Sequence, residues 1–143
     1  MNAGGVLLDT CAVIWLGTGE PMAPRAVEAM LAAGRGEGML VSPVSAWEIG
    51  LLSRPRSAGR PGMHFLPDPK TWFSRFLAGP GIRSCPLSPD IAIDAVYLPG
   101  DFHADPGDRL LVATARSLGR PIVTRDSKIL AYAQAGWVAA IAC

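Results

Sequence analysis

The chain has 143 residues, of which 50% are apolar and 17% are charged, as is typical of a single folded domain, residues 1–143, with a buried core and no need of disulfides. Its formal net charge of +1 excludes a general attraction to nucleic acid, so any such binding depends on local clusters of basic residues. Three distant cysteines, the lack of a basic N-terminal signal segment and the lack of any run of roughly 20 apolar residues indicate a cytoplasmic protein with free thiols and no membrane span.

In the first half of the chain, short apolar runs alternate with helix-forming segments. Strands are predicted at 5–8 and 39–42, and helices at 11–16, 24–33 and 44–53. The apolar spacing predicts that Ala26, Val27, Met30 and Leu31 face the core from the second helix. From the third, Trp47, Leu51 and either Val44 or Leu52 can face it, with Glu48 beside that face.

The second half of the chain begins with a loop at 53–67, which is too rich in Pro, Gly and Arg to hold regular structure. After the loop, helices are predicted at 69–78, 89–97, 106–118 and 127–134, and strands at 82–87, 122–124 and 137–141. The strand at 82–87 suits only an edge or an end of a sheet, because Pro86 has no N–H to donate. The alternation of strands and helices predicts a three-layer α/β/α sandwich with a central, mostly parallel sheet.

The segment 103–126, HADPGDRLLVATARSLGRPIVTRD, says most about function. Asp105 is suited to cap a helix that Pro106 opens, and Asp108 lies in its first turn, where the helix dipole favours negative charge. Gly119 is placed to end this helix. The strand that follows ends at Asp126, and the carboxyl edge of such a sheet is where ligands bind.

Four acids are candidates for one site. Asp9 and Asp126 lie at the carboxyl ends of strands, Asp108 opens a helix and Glu48 lies within another, so a doubly wound sheet can gather them at one crevice. Carboxylates that lie close together need compensation by a cation, and an all-oxygen ligand set selects Mg²⁺, with Mn²⁺ as a substitute, over zinc. The matching chemistry is hydrolysis of a phosphodiester by a metal-activated water.

Each acid also has an ordinary structural explanation. Asp105 and Asp108 are explained as a helix cap and a first-turn acid, and Asp9 as the start of a turn or the cap of the next helix. Glu48 alone is best explained as an exposed helix acid or an ion-pair partner. The joint placement of these residues with Asp126 is what favours a site over these explanations.

Four segments together resemble the PIN-domain nucleases, and more narrowly the VapC-type toxins of bacterial toxin-antitoxin pairs. They are LLDTCAVIWL at 7–16, SAWEIG at 45–50, HADPGDRLLVATA at 103–115 and IVTRD at 122–126. The resemblance implies that Asp9, Glu48, Asp108 and Asp126 hold the metal. It also implies a Mg²⁺-dependent endoribonuclease, a small cognate antitoxin that blocks the site, and a homodimer.

The chain departs from this family in two places. Relatives with the His-x-Asp-Pro signature usually carry an aromatic residue where this chain has Gly107, which predicts a looser turn in front of Asp108. In the 53–67 loop, SAGRPGM replaces a more typical amphipathic continuation. The second departure leaves the substrate preference open.

Several residues are candidates for supporting roles. His103 is placed to contact substrate or a site carboxylate, or to form a structural hydrogen bond, and it is not expected to be the general base. Thr124 is either a hydrogen-bond partner of the site or an ordinary strand residue. Arg109 and Arg125 are suited to hold phosphate or to pair with neighbouring acids. The four tryptophans lie in apolar segments, which favours core packing or an antitoxin-binding groove over base stacking.

The loop arginines Arg54, Arg56 and Arg60 supply local positive charge. They can form a phosphate-binding edge for RNA, or they can be a solvated loop.

The sequence therefore predicts a metal-dependent endoribonuclease. A phosphatase that uses an aspartyl intermediate is a rival, but the haloacid-dehalogenase-like enzymes need a second Asp two residues after the first, and Cys11 stands at that position. The non-enzymatic alternative is an RNA- or protein-binding domain that kept the fold without catalysis, with Gly107 as the one hint in its favour.

Overall fold

The architecture, taken from a computed structural model that describes residues 4–57 and 59–143, is a parallel sheet covered by helices. The strands are β1 (Val6–Leu8), β2 (Met39–Val41), β3 (Ile82–Ser84), β4 (Ile122–Thr124) and β5 (Ala140–Ala142). The helices are α1 (Thr10–Thr18), α2 (Pro24–Gly34), α3 (Pro43–Ser53), α4 (Pro69–Leu77), α5 (Pro89–Asp94), α6 (Pro106–Leu118) and α7 (Ser127–Gln134). Within the described ranges, no helix combines the length and the apolar character that crossing a membrane requires.

The sheet has the strand order β3-β2-β1-β4-β5, and every neighbouring pair is parallel. Strand β1 is central, and the chain builds outward from it first on one side, through β2 and β3, and then on the other, through β4 and β5. The strand order therefore reverses between β1 and β4. In open α/β sheets this switch point is where a crevice opens at the carboxyl edge.

Both faces of the sheet are buried, because alternate residues of each strand enter different cores. In β1, Leu8 joins one cluster with Val13 and Ile49, whereas Leu7 joins the other with Leu111 and Ile129. Helices therefore cover the sheet on both sides. The predicted three-layer α/β/α fold is confirmed.

The predicted inward faces of two helices are partly wrong. On α3, Trp47 is 51% and Leu51 is 46% exposed, while Val44 and Ile49 are buried. Leu31 on α2 is 57% exposed. On α3 the reason is that the helix's own apolar residues are distributed around nearly its whole circumference, so their spacing does not indicate which face is buried.

Several predicted boundaries also differ from the structure. The helix predicted to reach Tyr97 ends at Asp94, because Tyr97 N bonds to Asp94 O and Val96 N to Ile93 O in tight turns. The last strand begins at Ala140 because Trp137 N bonds back to Tyr132 O at the end of α7. The edge strand β3 stops at Ser84, before Pro86.

Two glycines with the same left-handed backbone test what the fold requires. Gly19 and Gly81 both have φ of 77°, but a Cβ at 19 would meet nothing within 4 Å, whereas one at 81 would lie 2.7 Å from Gly34 Cα. We expect Gly19→Ala to lower the free energy of unfolding by about 1–2 kcal/mol through backbone strain, and Gly81→Ala by at least about 1 kcal/mol more through the clash. Equal losses in urea unfolding would contradict this account.

Candidate metal centre

The four candidate acids lie at one edge of the molecule because of the sheet topology. Asp9 follows β1 and Asp126 follows β4, which are neighbouring parallel strands, so both residues leave the sheet at the same edge. Asp108 occupies the first turn of α6. Glu48 lies on α3, which packs against both α1 and α6. The four acids also interact through their charges, since Asp126 raises the pKa of Asp9 and of Asp108, and Asp9 raises the pKa of Glu48.

Asp9 is buried, with 6% of its surface exposed, and both oxygens of its carboxylate accept hydrogen bonds from the protein. One oxygen accepts a hydrogen bond from Thr10 N at 2.7 Å, and the other accepts from Thr124 Oγ1 at 2.6 Å and from Cys11 Sγ at 3.5 Å. Thr124 Oγ1 also accepts from Asp126 N at 3.0 Å. Thr124 therefore ties the loop after β4 to the acid after β1.

Glu48 is fixed by α1 and by the backbone of α6. Its Oε1 accepts from Thr10 Oγ1 at 2.6 Å, and the same hydroxyl lies 3.0 Å from Ser45 Oγ. A Cβ built at Gly107 would lie 2.8 Å from Glu48 Oε2. The Glu48 carboxylate therefore occupies the space that the missing Gly107 side chain leaves.

The turn in front of Asp108 is capped although Gly107 lies within it. Asp105 caps α6, with its Oδ2 accepting from Asp108 N at 2.9 Å, and the helix begins at Pro106. Gly107 itself is buried. The expectation of a looser turn stays a prediction, and the cap and the proline oppose it.

His103 contacts the site from the loop before α6. Its Nε2 lies 2.9 Å from Asp108 Oδ2, with the two side chains 22% and 16% exposed. The distance is that of an ion pair, but no hydrogen bond to this buried nitrogen is found within the described residues.

The two arginines next to site acids in sequence donate hydrogen bonds to backbone carbonyl oxygens. Arg109 donates to the carbonyl oxygens of Ala95, Val96, Phe102 and His103 at 2.8 to 3.1 Å. Arg125 donates to Cys143 O at 3.1 Å and lies 3.2 Å above the Trp15 ring. Within the described residues neither guanidinium forms an ion pair with an acid, and a contact with phosphate stays a prediction. The loop arginines at 54, 56 and 60 are exposed.

Two sets of side chains bring their ligand atoms within 4.8 Å of one another. One set is His103, Asp108 and Asp126, and the other is Glu48, Asp105 and Asp108. Asp108 belongs to both, whereas Asp9 belongs to neither. The donors are carboxylate oxygens with one imidazole nitrogen, and this chemistry fits a hard or borderline divalent cation.

Sequence analysis missed Thr10 and Ser45 as residues that hold a site acid. The available signal was weak: a threonine directly after the Asp at a strand end, and a serine one helical turn before Glu48. Hydroxyl side chains at such positions are common without any site, so their pattern alone does not single them out.

Burial and the proximity of the acids raise the pKa of three of the four carboxyl groups. Burial raises the pKa of Asp9 and of Glu48. Burial, together with the charges of Asp126, Asp105, Asp9 and Glu48, raises the pKa of Asp108 from 3.8 to about 7. A bound divalent cation would reverse these effects by stabilising the ionised carboxylates.

The chain is similar to known proteins in sequence and in fold. The family model described as "PIN domain" matches residues 6–135. Over 51 residues, or 36% of the chain, the sequence is 39% identical to Ribonuclease VapC22 of Mycobacterium tuberculosis, and this match spans only 39% of that relative's length.

Solved structures share the fold. A chain in the crystal structure of VapBC2 from Rickettsia felis bound to a DNA fragment from their promoter has a TM-score of 0.65 at 12% identity, with 96% of this chain and 98% of that chain covered. A chain in a toxin-antitoxin complex from Klebsiella pneumoniae has a TM-score of 0.54 at 20% identity, with 86% and 88% covered. At these identities the likeness is one of fold.

The raised pKa of Asp108 makes the stability of the metal-free protein depend on pH. Between its ordinary pKa of 3.8 and about 7, the unfolded chain ionises this acid before the folded protein does, so its contribution to stability is lost as the pH rises through this window. We expect Asp108→Asn to raise the melting temperature at pH 8 and to have little effect at pH 4. Saturating Mg²⁺ should stabilise the parent at pH 8. A difference between parent and variant that is constant with pH would contradict this.

The close approach of the Glu48 carboxylate to Gly107 leads to a second prediction, which concerns metal binding. Gly107→Ala should fold, because alanine favours a helix and the clashing atoms are the flexible end of Glu48, but it should push the carboxylate aside and weaken Mn²⁺ binding by about tenfold. Gly50→Ala on α3 is the matched control, since a Cβ there meets nothing within 4 Å. Isothermal titration should separate the two variants, and equal Mn²⁺ affinities would contradict the role of this space.

Proposed function

The chain belongs to the PIN-domain family, and on that premise we propose that it is a metal-dependent endoribonuclease and the toxin of a type II toxin-antitoxin pair. The observation that carries the proposal is the convergence of the acids, with Asp108 shared by two sets of ligand atoms. The partial match to a ribonuclease of the VapC type supports the choice of RNA as substrate.

We propose that Asp9, Glu48, Asp108 and Asp126 form the catalytic and metal-binding set, and that Mg²⁺ is the physiological ion with Mn²⁺ as a substitute. When bound, the ion supplies an activated water and balances the charge that develops on a phosphodiester. The protein contributes preorganisation. Thr124 and Thr10 hold Asp9 and Glu48 in fixed positions through hydrogen bonds of 2.6 Å, so these acids need little rearrangement when the substrate arrives.

RNA binding needs positive charge outside the acidic crevice. Arg54, Arg56 and Arg60 are exposed in the loop that follows α3, the helix that carries Glu48. We propose that this loop contributes to substrate binding.

Two kinds of protein partner follow from the proposed function. A cognate antitoxin needs an apolar surface close to the site, and Trp47 and Leu51 on α3 are exposed on either side of Glu48 in sequence. A homodimer needs a second apolar surface, and Ile93, Val96 and Tyr97 at the end of α5 are exposed as well. We propose both assemblies, in the cytoplasm.

The alternative of a binding domain without catalysis receives no support from Gly107. The turn that presents Asp108 is closed by the Asp105 cap, and Glu48 fills the space left by the glycine. With a glycine at this position, Glu48, Asp105 and Asp108 bring ligand atoms within 4.8 Å of one another.

The catalytic proposal is tested by removing single charges. Asp9→Asn and Asp108→Asn should each lower Mg²⁺- or Mn²⁺-dependent cleavage of a mixed RNA substrate by at least about 100-fold, with a circular dichroism spectrum like that of the parent. Glu28→Gln, which neutralises an exposed acid on α2, is the control and should retain full activity. A parent protein that binds RNA but does not cleave it with either ion would favour the binding-domain alternative.

A further inference from the structure

The imidazole of His103 is placed as a ligand rather than as a hydrogen-bond donor. Its Nε2 is buried and has no hydrogen-bond partner in the described part of the chain. A buried polar nitrogen left in this state costs free energy, so its environment needs an explanation. This nitrogen forms a cluster with carboxylate oxygens of Asp108 and Asp126, because ligand atoms of the three residues all lie within 4.8 Å of one another.

The surrounding residues hold the ring in this place. The Phe102 ring packs edge-on against the imidazole, with the ring centroids 4.6 Å apart. Arg109 Nη1 donates to the carbonyl oxygens of Phe102 and His103 at 2.9 and 3.1 Å, so the backbone on which the imidazole stands is anchored to α6. The nitrogen therefore faces the acids because packing and backbone hydrogen bonds direct it there.

The spacing of the donor atoms fits ligands of one ion. Two ligands at right angles around a small divalent cation, each roughly 2.1 Å from it, lie about 3 Å apart. His103 Nε2 and Asp108 Oδ2 are 2.9 Å apart. An imidazole nitrogen that lies this close to a carboxylate oxygen without a hydrogen bond is in an arrangement that a shared ion would make favourable.

We propose that His103 is a metal ligand, that it binds the ion together with Asp108 and Asp126, and that it shifts the preference of the site from Mg²⁺ towards Mn²⁺. The proposal rests on the metal-dependent function proposed above and adds a ligand to its acidic set. Mg²⁺ is satisfied best by oxygen, whereas an imidazole nitrogen suits first-row transition ions. One nitrogen among carboxylates therefore favours Mn²⁺ without excluding Mg²⁺.

The composition of the chain makes a direct test possible, because His64 and His103 are its two histidines. Untagged protein loaded with Mn²⁺ should show ¹⁴N modulation in pulsed electron paramagnetic resonance, which reports an imidazole nitrogen bound to the ion. The modulation should persist in His64→Gln, whose parent residue is exposed in the 53–67 loop, and disappear in His103→Phe, which keeps a ring against Phe102. His103→Gln serves as a second variant if the phenylalanine impairs folding.

Titration of Mn²⁺ and of Mg²⁺ into the same proteins tests the preference. We expect loss of the His103 imidazole to weaken Mn²⁺ binding by about tenfold and Mg²⁺ binding by clearly less. Mn²⁺ binding by the parent without ¹⁴N modulation, or equal losses for both ions, would overturn this inference and leave the acidic site intact. A parent protein that binds neither ion would overturn the proposed function as well.

Discussion

The parallel pairing of β1 with β4 is the constraint on which the rest of the site depends. Leu7 pairs with Ile122 and Leu8 with Val123, so the residues that follow the two strands, Asp9 and Asp126, must emerge side by side. Thr124 strengthens this arrangement, because its hydroxyl bonds to the Asp9 carboxylate and to the Asp126 backbone. The burial of β1 and β4 on both faces of the sheet fixes the register, since a slip of one residue would exchange the two cores.

The acids around this pairing are stabilised in two different ways. Asp9 is satisfied internally, because hydrogen bonds from Thr10, Cys11 and Thr124 take up its oxygens. Asp108 contacts His103 and lies among other acids, and its pKa rises to about 7. Asp9 therefore has both oxygens bonded within the protein, whereas the oxygens of Asp108 lie beside other site acids and His103. This difference supports a central place for Asp108 in the proposed cation site, although sequence alone gives Asp9 equal weight.

The sequence predicts the fold and the convergence of the acids because both follow from short-range signals. Caps such as Asp105 with Pro106 mark helix starts, and apolar runs that end in Asp mark the carboxyl edge of a parallel sheet. The exposed Trp47 and Leu51 show where such signals fail, because an apolar residue does not reveal whether its own protein or another one covers it. The role of Thr10 and the unpartnered Nε2 of His103 depend on contacts between distant segments, which periodicity does not encode.

The arginines next to the site acids in sequence do not neutralise the acidic crevice, because their guanidinium groups contact backbone carbonyl oxygens and a tryptophan ring instead. Arg109 directly follows Asp108 and Arg125 directly precedes Asp126, so neutralising ion pairs would be expected from sequence. A helix, however, points consecutive side chains in different directions, and Arg109 bonds to carbonyl oxygens on the side of α5. Arg125 lies over Trp15 instead. Within residues 4–57 and 59–143, no arginine or lysine forms an ion pair with the four acids. The arginines next to Asp108 and Asp126 in sequence stabilise the backbone, and the crevice receives no compensating arginine or lysine from the described residues.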